Sequence, residues 1–214
     1  MAEASVETRA RHVVQRREDF RGEARANVLR VVSIGVFYLI ELVNRYGVNL
    51  GVIEIPPVRD ETFHRSITAL ASAWVLMALA IHLLLIARRF PPWLKYLTTA
   101  LDGILLTMVL LVAEGPRSPL VMGYALIIAM SAFRLNAALS QFATCVAVSG
   151  YLGLIATVYL ETHRDVTVPR YVELFTIAAL SLIGVSVCMS IHRTWHVVDE
   201  YGDQLKRSEE VEPS

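Results

Sequence analysis

Six apolar runs constrain this chain more than any other feature: residues 28–43, 67–87, 97–113, 120–133, 139–160 and 172–191. Most approach the ~20 residues that cover ~30 Å of hydrocarbon at 1.5 Å per residue in a helix. A bilayer leaves backbone polar groups no water to bond, so runs of this kind predict helices, and the expected fold is an all-α, polytopic membrane protein with six transmembrane helices. The fourth run is short by this measure and relies on its flanking residues to complete a span. Composition agrees: 55% of residues are hydrophobic and 19% charged, too apolar for an ordinary soluble domain.

Three regions follow. Residues 1–27 are rich in Arg and Glu, with Val13, Val14 and Phe20 as the sizeable apolar residues after Val6. They read as a charged cytoplasmic helix or tail leading into an uncleaved first span. Residues 28–192 form the membrane domain, and residues 193–214 a cytoplasmic helical extension with a short tail. Fourteen of the 20 basic residues fall on the side that carries the N-terminal tail, Arg30, Arg88, Arg89, Lys95, Arg134 and the C-terminal tail. The excess of Lys and Arg on cytoplasmic loops therefore predicts that both termini are cytoplasmic, as an even number of spans requires. The implied location is a cytoplasmic (inner) membrane, crossed several times.

The connections are short. The first outer loop carries Pro56-Pro57 and polar residues 59–65, the turn after Arg88-Arg89 is Phe90-Pro91-Pro92-Trp93, and the last outer loop holds His163 and Pro169. None has room for a catalytic domain. The link 135–138 forces the fourth and fifth spans to be antiparallel neighbours. After Ile191, the residues Ile191, Trp195, Val198, Gly202 and Leu205 step by alternating fours and threes, the seam spacing of a coiled coil. The sixth span is thus expected to continue as a helix that pairs with its copy in a homodimer.

Ionisable residues within spans are costly and are candidates by default. Asp102 is the strongest, about 10 Å along the helix from Lys95. Its expected partners are Arg134, Arg88 or Arg89, and an Asp102–Arg134 pair would tie the inner ends of the third and fourth spans together. Glu41 precedes Arg45 by four residues, the favourable spacing for a pair on one helix face. Glu173 sits where a helix dipole favours a carboxylate. His82 lies in an apolar run, where an imidazole can ligate haem or chlorophyll or hydrogen-bond a quinone. His192 and His196 share a face at i, i+4, but lack a third ligand nearby in sequence, so no metal site is assigned. Cys145 and Cys188 read as small buried hydrophobes. The pairs Ser149/Gly153 and Ser186/Ser190 have the small-xxx-small spacing of helix packing. Phosphate-binding loops, G-x-S-x-G, H-E-x-x-H and C-x-x-C are missing, so the chain is read as non-catalytic. Nothing in the charge pattern points to nucleic acid.

One hairpin, residues 102–134, gathers the informative positions. Asp102 near the start of the third span, the turn Gly115-Pro116-Arg117-Ser118-Pro119-Leu120, Tyr124, and the exit Ala132-Phe133-Arg134-Leu135 resemble the six-span N-terminal membrane domains of bacterial sensor histidine kinases and class III nucleotide cyclases. The resemblance covers about residues 28–205. It implies a membrane anchor and sensor that dimerises and passes a signal along the exit helix, with Asp102, Tyr124 and Arg134 shaping a polar interior. No kinase or cyclase sequence follows that helix here, so the output is expected through another polypeptide or a membrane assembly. The alternative expectation is an accessory subunit of a respiratory or photosynthetic complex, with His82 touching haem, pigment or quinone.

Overall fold

The computed structural model describes residues 2–49, 54–55, 61–87, 91–160 and 169–211, with side chains for 20–47, 61–87, 91–160, 169–198 and 200–202. Six helices carry nearly all of the described chain: α1 (Ala2–Tyr46), α2 (Glu61–Ile86), α3 (Leu94–Val112), α4 (Met122–Ala132), α5 (Ala137–Leu160) and α6 (Arg170–Val211). A two-residue antiparallel bridge, Val48–Asn49 with Glu54–Ile55, follows α1. Five of the helices have segments long and apolar enough to cross a membrane. The fourth does not: the apolar helical stretch Pro119–Ala132 is shorter, and α4 itself rises only about 16 Å. The side chains of Val13, Val14 and Leu205, the loop with Pro56-Pro57, the Arg88-Arg89-Phe90 turn and the loop holding His163 lie outside the described residues.

Exposed side chains show why the bundle belongs in lipid. On α1, Val28, Val31, Val36, Leu39 and Ile40 face outward, while Glu23, Asn27 and Arg30 face inward. On α2 the outward set is Leu76, Leu79, Leu83 and Ile86, and on α6 it is Leu182, Val185 and Met189. Apolar perimeters this continuous would be a large unfavourable surface in water and cost nothing against acyl chains. The chain is a multi-pass membrane protein.

The apolar core joins α3, α4, α5 and α6 through Leu106, Leu110, Tyr124, Ile127, Ala143, Ala147, Tyr151 and Leu180. Five of the 11 residues of α4 are buried, so this short helix is an internal strut as well as a wall. Two glycines set key geometry. Gly47, at φ 69°, ends α1, with its N–H on the Val43 carbonyl at 2.9 Å. Gly22 lets α1 approach the end of α4: a Cβ there would lie 2.5 Å from the Phe133 carbonyl oxygen and 2.9 Å from the Arg134 Cα. Among the described residues, Gly22, Glu23 and Ala26 of α1 are already buried, inside the stretch expected to be a solvated lead-in.

The link between α4 and α5 is as tight as its length predicted. Leu135 takes a left-handed backbone (φ 46°), and the Asn136 side chain accepts from the Leu139 N–H at 3.1 Å, capping α5. The Trp195 indole N–H donates to the Leu135 carbonyl at 3.0 Å. Gly22 of α1 and Trp195 of α6 thus both meet this link, so the two longest helices pass the same end of the bundle. The inner part of the proposed seam is used within one chain: Ile191 is buried and Trp195 is bonded to Leu135, whereas Val198 is exposed.

A two-level polar stack as candidate functional site

Two polar stripes of the same period face each other inside the bundle. On α1 they are Glu23, Asn27 and Arg30; on α3, Lys95, Thr98, Thr99 and Asp102. Each stripe steps by i, i+3 or i+4 and i+7, so each occupies one helical face, and all seven residues are buried.

The first level forms around Arg134. Its Nε lies 2.7 Å from Glu23 Oε2, with the N–H off the line of an ideal hydrogen bond. Its two terminal nitrogens donate to Thr99 Oγ1 at 3.0 Å and Thr98 Oγ1 at 3.4 Å. Thr98 and Thr99 also donate to the Lys95 carbonyl at 3.1 and 2.8 Å, which holds both hydroxyls in place. Glu23 is fully buried and Arg134 is 4% exposed.

The second level lies about 10 Å further along α1. Arg30 grips Asp102 with two parallel bonds, Nε to Oδ1 at 2.7 Å and Nη2 to Oδ2 at 2.6 Å. Such bidentate, charge-assisted pairs are the strong class of hydrogen bond. The Trp74 indole N–H adds a third bond to Asp102 Oδ1 at 2.8 Å. Arg30 Nη1 donates to Asn27 Oδ1 at 2.8 Å, and the Asn27 amide donates to the Ala78 carbonyl at 3.1 Å, so α1, α2 and α3 close on one knot. Isolated charges buried in this way would be strongly disfavoured; Arg30 lies opposite Asp102 and Arg134 opposite Glu23, so each of these four charges has a counterion.

This pairing corrects the expected one. Asp102 is bound by Arg30 of α1, and Arg134 faces Glu23, also of α1. The inner ends of the hairpin are therefore joined by Arg134 to Thr98 and Thr99 rather than by an Asp102–Arg134 pair, and α1 supplies both counterions. Tyr124 stands apart in the apolar core, fully buried, with its hydroxyl 2.7 Å from Thr107 Oγ1. His82 is exposed on the outer face of α2 and takes no part in the stack. His192 and His196 are exposed too, and no group of three His, Cys, Asp or Glu side chains is placed for a metal among the described residues.

Other readings shift in detail. Glu41 is buried and pairs across helices with His64, Oε1 to Nδ1 at 3.4 Å, while Arg45 lies over the Tyr46 ring. Glu173 does sit in the first turn of α6, within reach of the Tyr159 hydroxyl at 3.4 Å. Cys145 is exposed rather than buried, and Cys188 is intermediate. Ser149, Gly153, Ser186 and Ser190 face outward. Within the chain, close helix approach uses Gly150 against Tyr124 and Gly184 against Thr144 instead.

Beside the second level is a cavity of about 330 Å³, lined by Arg30, Ser33, Ile34 and Phe37 of α1, Trp74, Asp102, Leu106 and Val109, and by residues from Pro119 to Met130. Its wall is apolar except where Arg30, Asp102 and Ser33 meet it. Comparison with known proteins yields no match to a family model, a curated protein or a solved structure.

Proposed function

We propose that the chain is a non-catalytic sensory or regulatory module of a bacterial cytoplasmic membrane, with six membrane segments and both termini cytoplasmic. In this reading the short α4 completes the count with its flanking turns, and the Arg134 end of the bundle is the cytoplasmic end, where the basic residues concentrate. One observation carries the reading. α1 is a single helix that holds both buried charge pairs and continues to Ala2, while α6 runs on to Val211 past the same end. At about 68 and 63 Å, both helices exceed what ~30 Å of hydrocarbon needs. A change at Arg30–Asp102 is thereby connected, through rigid helix, to surfaces outside the bilayer. The mutual ion pairs hold and orient helices, and none offers a nucleophile beside a general base, the arrangement covalent catalysis needs. The output passes to a partner polypeptide or a second copy.

The test is disulfide trapping in native membranes with Val198→Cys or Leu205→Cys. Crosslinking between copies is expected, and its yield should change in an Arg30→Met, Asp102→Leu background. A yield indifferent to the charge pair, with no co-purifying partner in mild detergent, sinks the reading. A second reading draws on His82, exposed among Leu79, Leu83 and Ile86 on the outer face of α2. An imidazole directed at the surroundings of the bundle suits contact with haem, pigment or quinone of a neighbouring subunit. A visible band in the purified complex, lost in His82→Ala, would favour it.

A further inference from the structure

Resting on the sensory reading, we propose that the cavity beside Arg30 and Asp102 binds a membrane-soluble amphiphile with a neutral carbonyl or hydroxyl head and a medium-length apolar tail. The volume, about 330 Å³, lies within the range of small-molecule sites. Its lining has the polarity of an amphiphile. Arg30, Asp102 and Ser33 supply the polar end, and Ile34, Phe37, Leu106 and Val109 continue for two helical turns, about 10 Å, as an apolar barrel.

The charge state of the head follows from the pair already in place. Arg30 and Asp102 neutralise each other, and both are more than nine-tenths buried. An anionic head would face the Asp102 carboxylate and a cationic head the Arg30 guanidinium, so either must break the pair or sit beside a like charge in a low-dielectric site. A neutral head avoids both costs. Three of the five guanidinium N–H groups are spent on Asp102 and Asn27, leaving donors for a carbonyl. Asp102 accepts three hydrogen bonds among the described residues and has lone-pair capacity for a hydroxyl donor. The route in is lateral: Met122 and Leu126 line the cavity and are 77% and 37% exposed on the apolar perimeter. A ligand dissolved in the bilayer enters there tail or head first without crossing water. Occupancy bears on Arg30 and Trp74, and so on the packing of α1 against α2 and α3.

The experiment uses the full chain in nanodiscs and four diazirine-bearing probes of equal chain length: a dodecyl alcohol, a dodecyl ketone, dodecanoate and dodecyltrimethylammonium. The alcohol and ketone should label the peptide spanning residues 119–130 saturably, with competition by unlabelled 2-dodecanone. Ser33→Phe, which fills the polar end, should reduce that labelling roughly tenfold, equivalent to about 1.4 kcal/mol. Val36→Phe, which adds comparable bulk on the outward face of α1, should leave it intact, and labelling of the outer face of α6 around Met189 should not change in either variant. Equal or stronger labelling by the carboxylate or ammonium probe overturns the proposal, as does labelling of the neutral probes that never saturates. These probe comparisons need only the unsubstituted chain, so they decide the matter even if Ser33→Phe misfolds. The Val198→Cys crosslinking yield, measured in the same nanodiscs with and without dodecanol, separates the two claims. Saturable labelling with an unchanged yield would leave the site standing and remove its sensory role. Absent labelling, with a yield that still responds to the Arg30–Asp102 pair, would do the reverse.

Discussion

Removing the Asp102 carboxylate should be among the most damaging single changes in this protein. Asp102→Ala deletes three hydrogen bonds, two from Arg30 and one from Trp74, and leaves a guanidinium that is 2% exposed with Asn27 as its remaining hydrogen-bond partner among the described residues. Breaking a buried pair from one side costs about 3–5 kcal/mol, because the surviving charge keeps its desolvation penalty and loses its counterion. Replacing both partners by apolar groups of similar size is a different perturbation. Arg30→Met with Asp102→Leu removes the attraction and the penalty together and should lie within about 1–2 kcal/mol of the parent. The ordering is therefore non-additive, with a coupling energy above about 2 kcal/mol in a double-mutant cycle. Reversible unfolding in mixed micelles, followed by far-ultraviolet circular dichroism, measures it. Trp74 fluorescence serves as a separate local signal, since its indole bonds the residue being changed. Should Asp102→Ala cost less than about 1 kcal/mol, or the double substitution cost as much as the single, the pair is solvated or unformed in the membrane and the argument fails.

Three further outcomes can be read with the same assay or a simple companion. Gly22→Ala should destabilise the chain by about 1–3 kcal/mol through overpacking, because the new methyl meets backbone of Phe133 and Arg134 that cannot turn aside; unchanged unfolding would contradict the close approach of α1. Tyr124→Phe should cost about 0.5–1.5 kcal/mol: the Thr107 hydroxyl donates to the Gly103 carbonyl at 2.7 Å, so Tyr124 is the donor to Thr107 and only that one bond disappears. Trp195→Phe, which keeps the ring and loses the bond to the Leu135 carbonyl, should speed hydrogen exchange in α6 beyond Ile191 with little effect on the core helices. Exchange rising equally throughout would mean that Trp195 supports the whole bundle.

Much of the architecture was legible because lipid imposes it. Apolar runs of adequate length can be little else than helices, and the four-residue link after Arg134 could only join antiparallel neighbours. The fourth run was too short to argue from length, and α4 indeed depends on burial inside the bundle rather than on reach. Asp102 stood out as an intramembrane carboxylate, but its partner did not. Arg30 was counted as one more basic residue on the charged side, and it lies 72 positions away from Asp102, a separation that no local periodicity connects. A signal was available in the stripe Glu23, Asn27 and Arg30, which shares one face at i, i+4 and i+7. It was obscured because residues before 28 read as a solvated tail. Tyr124 shows the opposite limit: its place next to the polar turn drew attention to it, and packing put it in the apolar core. The small-residue pairs of α5 and α6 carried the packing spacing but face away from their own bundle, since spacing alone does not say which side of a helix a neighbour occupies.

The distance in sequence between Arg30 and Asp102 also sets an order of events during synthesis. The first helix leaves the ribosome with Glu23 and Arg30 already in it, while the residue that neutralises Arg30 follows 72 positions later and Arg134 later still. At ~5–20 residues per second, Arg30 waits some 4–14 s for its counterion. During that interval α1 is a poor candidate to settle in hydrocarbon alone, and it must linger at the interface or beside the insertion machinery until α3 arrives. The charge pair thus couples the seating of the first helix to the arrival of the third, and a chain cut before Asp102 is expected to leave the turn of Arg30 open to water-soluble thiol reagents at an engineered cysteine, where the full chain protects it.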